Sequence, residues 1–302
     1  MKQDKIEFIK REDLDVSGSI PFAPINFDEY HSNNIDVWDE YTEMGSEYQQ
    51  VQRAIMKANF PYLIESEKGQ GKTLLVHTVC SKNNIALIEE PVGVGTKRTD
   101  LIGTKEINRD GTLFNLGLLP KAIEVANHYK HACLYCDEGN AQDHEIQRYW
   151  NRICDGRKSI VANGKTYRLD KDAKLSIVWT INPVTYAGIN SMTEDLRSRF
   201  VGSVWSYPKD EDFKKVINWK DIPEETVMNP LLTLIQDIYS LRLKGELEYA
   251  LSIRDIAQFT NYLRYCKDLP TALNEVIMIK YGDASEREIV RIRINDTFGV
   301  KI

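Results

Sequence analysis

Residues 61–76 read Pro61-Tyr62-Leu63-Ile64-Glu65-Ser66-Glu67-Lys68-Gly69-Gln70-Gly71-Lys72-Thr73-Leu74-Leu75-Val76. A short apolar run passes through a polar, glycine-bearing turn into a second apolar run. This predicts strand, tight loop and helix in succession. The loop nearly fits the spacing G-x-x-x-x-G-K-[ST], with Ser66 at the place of the first glycine. Gly69 and Gly71 lack a Cβ, so the backbone N–H groups around them can turn inward. A helix starting near Lys72 adds the positive end of its dipole. A loop of this kind cradles dense negative charge. Ser66, Glu67, Lys68, Gly69, Gln70, Gly71, Lys72, Thr73 and Leu74 are therefore the candidate nucleotide-binding segment. Lys72 would reach the outer phosphates, and Thr73 would place its hydroxyl on Mg2+.

Similar short apolar runs recur outward from this stretch, at Ile85–Ile88, Ala132–Cys136, Ser176–Ile181 and Val201–Trp205. Tyr48–Ala58 and Leu119–Tyr129 have helical spacing between them. Short apolar strands alternating with helices predict an α/β fold with a parallel sheet covered on both faces. Two hairpins interrupt the alternation. One has Asp110-Gly111 at its tip and the other Asn163-Gly164, dipeptides suited to the positive φ angles of a type I′ turn. After about Pro208 the strands stop. Thr226–Lys244, Ser252–Lys267 and Thr271–Tyr281 read as helices. The alternation of Val290, Ile292 and Ile294 with Arg291 and Arg293 predicts a terminal half-buried strand with a solvated arginine face. The expected division is an acidic arm over 1–47, an α/β nucleotide-binding domain over 48–207, and a small α-helical lid with a terminal strand over 208–302.

The strand Ala132–Cys136 ends in Asp137-Glu138. Two carboxylates at the carboxyl end of a central strand suit phosphoryl chemistry. Asp137 can hold a magnesium shell, and Glu138 can orient and deprotonate an attacking water. The next strand ends in Thr180-Ile181-Asn182-Pro183, where Asn182 can bond a phosphate or that water. Arg197 and Arg199 are candidates for an arginine supplied to a neighbouring molecule's phosphates. Arg254 opens a helix in the lid and can close onto the same phosphates.

The 302 residues carry 39 basic and 45 acidic side chains, a net charge of −6. Hydrophobic residues make up 42% and charged ones 28%, which excludes disordered, collagen-like and coiled-coil chains. A surface built to coat nucleic acid would be basic. Five cysteines without repeated spacing suit reduced thiols. Cys133-x-x-Cys136 has no second pair for zinc and reads as buried strand. No run reaches the ~18 apolar residues of a membrane span. The N-terminus lacks a signal-peptide core, so a soluble, cytoplasmic protein is expected. From Glu12 to Gln52 there are ten acidic residues and no Lys or Arg. Such an arm could dock a basic partner; the favoured reading is a solvated flank packing its few aromatics on the main domain.

The order of these pieces resembles the AAA+ ATPases, in particular the MoxR and dynein-related (midasin-like) branch, over roughly residues 51–265. Asp100-Leu101-Ile102-Gly103 and Phe114-Asn115-Leu116-Gly117 resemble that branch's insert in helix 2. Asp137-Glu138-Gly139-Asn140 is similar to its D-E-I-N-R, with Ala141 in place of the arginine. The second hairpin resembles its pre-sensor hairpin. Thr180–Pro183 resembles sensor 1, Ser198-Arg199-Phe200 the arginine-finger segment, and Ser252-Ile253-Arg254 sensor 2. The resemblance implies ATP with Mg2+, a homo-oligomeric ring, usually a hexamer, and Arg199 acting on the neighbour's ATP. It also implies a remodelled protein partner, in this branch often one with a von Willebrand factor A domain. Adenine over guanine rests on the resemblance alone. A motor acting on nucleic acid is the second reading, drawing on Lys105, Arg109, Lys158 and Lys165 on or near the hairpins. A nucleotide switch without turnover is the third, and the presence of both Asp137 and Glu138 argues against it.

Overall fold

The computed structural model describes residues 20–90, 92–108, 111–183 and 191–302. In chain order its elements begin α1 (Glu47–Lys57), β1 (Tyr62–Glu65), α2 (Lys72–Lys82), β2 (Ala86–Glu89), α3 (Arg98–Ile102), β3 (Gly103–Asn108), β4 (Gly111–Leu116) and α4 (Leu118–Tyr129). They continue with β5 (His131–Cys136), α5 (His144–Cys154), β6 (Ser159–Ala162), β7 (Lys165–Arg168), β8 (Lys174–Ile181), α6 (Glu194–Arg197) and β9 (Val201–Val204). The helical part holds α7 (Asp210–Val216), α8 (Asn229–Leu243), α9 (Ile253–Cys266), α10 (Leu269–Ala272) and α11 (Ala284–Phe298).

Five strands form one parallel sheet in the order β2-β5-β8-β1-β9. Residue parity divides its two faces. Leu63, Leu134, Cys136, Ile177 and Trp179 point into a core shared with α4 and α5. Ile64, Cys133, Tyr135 and Val178 point into a second core under α1 and α2. Both faces are covered, which is why the strands read as continuous apolar runs. β1 lies between β8 and β9, with β5 beyond β8. Parallel strands end on one side, so the loops after β1, β5 and β8 meet there.

The two hairpins form as β3–β4 and β6–β7. Asn163 (φ 46°) and Gly164 (φ 77°) both take the left-handed conformation of the type I′ turn. Asp110, at the other tip, lies outside the described residues, as does Arg109. All five cysteines are free, and Cys133 and Cys136 are buried on opposite faces of β5.

Beyond Tyr207 the helices enclose a separate core that includes Phe213, Leu231, Ile235, Phe259, Leu273 and Tyr281. The terminal strand expected over Ile289–Ile294 is absent: these residues lie within α11. Asp283 caps this helix, its carboxylate accepting from the N–H groups of Ser285 and Glu286. Val290 and Ile294 are also an i,i+4 pair, and both are fully buried in the core of the helical part. Ile292, the middle member of the apparent alternation, is half exposed. A period of 2 and a period of 3.6 coincide at four residues, so the pattern alone misled. The segment Thr271–Tyr281 is helical but irregular, with a π turn at Leu273–Ile277 and a 3-10 turn at Met278–Lys280.

The helical part rests directly on the glycine loop. Glu67 Oε1 accepts from Arg242 Nη1 of α8 at 2.9 Å, with the two side chains 13% and 7% exposed. A Cβ on Gly69 would lie 2.5 Å from Ser252 Oγ at the start of α9. Removing one member of a buried ion pair typically costs about 3–5 kcal/mol. Arg242→Ala is accordingly expected to lose about 3 kcal/mol in a denaturant titration. A loss below about 1 kcal/mol would place this pair in the surface class instead.

Candidate functional site

β1 ends at Glu65, and the chain turns through Ser66–Gly71 into α2. The left-handed angles in this loop fall on Gly69 (φ 71°) and Gly71 (φ 78°). Ser66 takes no such angle, so the departure from glycine costs no backbone strain there. Its hydroxyl instead joins the loop's own network, donating to the carbonyl of Glu67 at 3.1 Å and accepting from Lys72 Nζ at 3.2 Å. Lys72 is buried and also donates to the carbonyls of Ser66 (2.9 Å) and Glu67 (3.1 Å) and to Asn182 Oδ1 (3.0 Å).

The ends of β5 and β8 meet this loop. Thr73 Oγ1 donates to Asp137 Oδ2 at 3.2 Å, and Thr180 Oγ1 donates to Asp137 Oδ1. Glu138 is held in the left-handed region (φ 49°, ψ 40°), uncommon outside glycine. Its N–H donates to Asp137 Oδ1 at 3.1 Å and Thr180 Oγ1 at 3.2 Å. Asn182 Nδ2 donates to Glu138 Oε1 at 2.8 Å, so Asn182 bridges Lys72 and Glu138. Asn140 Nδ2 in turn holds the Asn182 carbonyl at 3.2 Å.

These groups border a cavity of about 750 Å3. Its lining includes the loop from Lys68 to Leu74, Asp137, Glu138 and Asn182, with Arg254, Ile253 and Ala257 of α9 across from them. Eleven of the sequence-derived residues are thus brought to one place. Ser66 and Glu67 lie in the same loop just behind the lining. Arg199 and Arg197 are not among the lining residues. Arg199 Nη1 donates to Asp195 Oδ1 at 2.7 Å, and Arg197 Nη2 to Glu65 Oε2 at 2.9 Å.

The acidic arm forms a further wall, which its composition did not foretell. Its aromatics do pack on the α/β part: the Phe22 ring meets Phe114 and Tyr167 edge-on, and Phe27 stacks on His128. The arm then continues to the cavity, where Trp38, Asp39, Glu40, Tyr41, Thr42 and Met44 line it. Tyr41 lies against Gly71, where an added Cβ would meet its ring at 3.4 Å. His77 of α2 fastens this segment, with one ring nitrogen 2.8 Å from the Asp36 carbonyl and the other 2.6 Å from Glu89 Oε2. The only sequence signal was Trp38 and Tyr41, two aromatics in an otherwise polar stretch.

Burial lowers the Lys72 ammonium to about 8, against the opposing pull of Asp137, Glu138 and Glu67. Burial also holds the Tyr135 phenol protonated far above its ordinary range. An anion bound at Lys72 would restore the ammonium's charge. Anion binding above about pH 8 therefore takes up a proton, and affinity is expected to fall as pH rises through 8. The limiting slope is about tenfold per pH unit. Nucleotide titrations between pH 7 and 9.5 check this, and a flat profile would contradict it.

Lys158 was an expected hairpin cation, but it is turned inward. Its Nζ donates to the Leu175 carbonyl, and burial lowers its pKa. Lys165 lies over the rings of Tyr167 and Phe22. Arg291 and Arg293 sit on α11, not on a strand. Among the described residues no helix is long and apolar enough to cross a membrane. No group of three or more His, Cys, Asp or Glu side chains among them could hold a metal ion.

No family model matches the chain. It is 23% identical over 177 residues to the denitrification regulatory protein NirQ of Stutzerimonas stutzeri, covering 59% of this chain and 62% of NirQ. The chain thus spans less than two thirds of that relative's length. A solved structure of a candidate ATPase from Cytophaga hutchinsonii is 16% identical with a TM-score of 0.44, covering 82% of this chain and 88% of that one. NtrX from Brucella abortus is likewise 16% identical with a TM-score of 0.49, covering 82% of this chain and 59% of that one.

Proposed function

We propose that the chain is an ATPase of the AAA+ type that hydrolyses ATP with Mg2+ and uses the cycle to remodel a partner protein. One observation carries this reading: Lys72, Thr73, Asp137, Glu138 and Asn182 converge on one cavity that Arg254 of the helical part closes. The donor set suits the cation, since a threonine hydroxyl and a carboxylate 3.2 Å apart are hard oxygen ligands of the kind Mg2+ takes. Thr73 and Asp137 would hold it, and it would supply charge neutralisation at the phosphates. Lys72 and the loop N–H groups bind and orient the anion. Glu138, fixed by Asn182, accepts the water's proton, and Arg254 covers the site from the lid over 208–302. The likeness to a regulatory protein supports action on a partner rather than on a small molecule.

The position of Arg199 away from the cavity lining is compatible with a finger given to a neighbouring subunit, in a ring that the resemblance makes hexameric. Arg199→Ala is then expected to bind ATP and hydrolyse it at least about 100-fold more slowly. Mixing it with a Lys72→Ala chain should restore part of the rate, because the Lys72→Ala subunit lends its finger to an intact pocket. Absence of rescue would count against action in trans. The reading as a whole is tested by ATP turnover over a protein concentration series, with and without DNA. A rate per subunit that rises with concentration and ignores DNA supports an assembling ring that acts on protein. Strong stimulation by DNA would replace it with the nucleic-acid motor.

A further inference from the structure

Tyr135 stands on β5, two residues before Asp137, with its side chain fully buried. A phenol in an apolar layer is costly unless its hydroxyl is bonded, whereas phenylalanine would fill the same volume without that demand. The hydroxyl donates to Thr73 Oγ1 at 3.1 Å and lies 3.4 Å from Thr180 Oγ1. Accounting for the protons separates these two contacts. Thr180 gives its single proton to Asp137 Oδ1 and accepts from the Glu138 N–H. Thr73 gives its single proton to Asp137 Oδ2. The Tyr135 proton therefore serves the nearer oxygen, that of Thr73. This leaves Thr73 Oγ1 with its own proton fixed, one lone pair occupied and one lone pair open. Tyr135 itself is not among the residues that line the cavity, while Thr73 and Asp137 are.

We infer that Tyr135 is a positioning residue for the cation: its hydroxyl pins the Thr73 hydroxyl so that the one open lone pair is presented to Mg2+. This rests on the nucleotide-hydrolysing reading above. Neighbours that fix a metal ligand by a hydrogen bond typically contribute 10- to 100-fold to metal affinity. The glycine loop and Lys72, which hold the anion directly, are untouched by Tyr135.

The test is Tyr135→Phe, which deletes one oxygen and leaves Thr73 its bond to Asp137. Binding of a fluorescent ATP analogue is titrated with Mg2+ and, separately, measured in EDTA, with the nucleotide-free melting temperature recorded alongside. The expected result is a half-saturating Mg2+ concentration about tenfold higher, with affinity in EDTA within about twofold of wild type. An unchanged Mg2+ midpoint would overturn the inference. So would an equal loss with and without Mg2+, or a collapse of the melting transition, since either would mean a purely structural role. Failure of the wild-type protein to bind the analogue under either condition would instead remove the reading on which the inference stands.

Discussion

Lys72→Ala is expected to weaken nucleotide binding by about 100-fold or more. The ammonium is buried and in direct contact with both the loop carbonyls and Asn182. Hydrogen bonds to charged groups contribute roughly 1.5–3 kcal/mol each, and two such bonds to phosphate oxygens account for the estimate. Alanine also leaves the Ser66 and Glu67 carbonyls and Asn182 Oδ1 without their shared donor. These are the acceptors that keep the loop closed around the site. An equilibrium titration with a fluorescent ATP analogue measures the effect. An affinity within about fivefold of wild type would place the anion site elsewhere on the chain.

Glu138→Gln should behave in the opposite way, retaining binding and losing turnover. Glutamine keeps the shape and, with its amide oxygen turned to Asn182, keeps the 2.8 Å bond from Nδ2. What it loses is the ability to accept a proton. Removing a general base typically costs 10²- to 10⁴-fold in rate. Phosphate release should therefore fall by about that factor while the dissociation constant moves less than about threefold. Bound ATP would then persist, and any assembly that depends on it should become longer-lived in sedimentation or light scattering. Hydrolysis at the wild-type rate would remove Glu138 from its role and turn attention to Asp137. The two variants separate the site's functions, since one chain would fail to bind and the other would bind and stall.

Much of the site was legible because it is local. The loop from Ser66 to Thr73 carries its own glycines, cation and hydroxyl within eight residues, and the strand before it and helix after it are visible in the apolar runs. Asp137 and Glu138 could be read because a buried strand ends abruptly in two carboxylates. α5 was not read, because its apolar face of Ile146, Trp150 and Ile153 is diluted by charged residues between them. Tyr135 gave no signal, since a tyrosine in a β-strand is an ordinary choice there, and Thr180 was read only as part of the polar end of its strand, not as a partner of Asp137. Their roles depend on β5 and β8 being neighbours, with Tyr135 level with Val178 in the ladder.

The sequence by itself determined the strand–loop–helix unit, the two-faced burial of the strands, the hairpin turn at Asn163-Gly164 and the helical character of the C-terminal part. Each of these follows from interactions within a few residues, where periodicity and backbone conformation suffice. The tertiary structure alone decided that β1 lies between β8 and β9, which sets Asn182 between Lys72 and Glu138. It alone brought the arm from Trp38 to Met44 onto the cavity, paired Glu67 with Arg242, and made Ile289–Ile294 a helix. Those outcomes depend on which apolar surfaces meet across long stretches of chain. Val290 and Ile294 became helical neighbours because both are buried in the core of the helical part, and a pattern of alternate residues carries no record of that core.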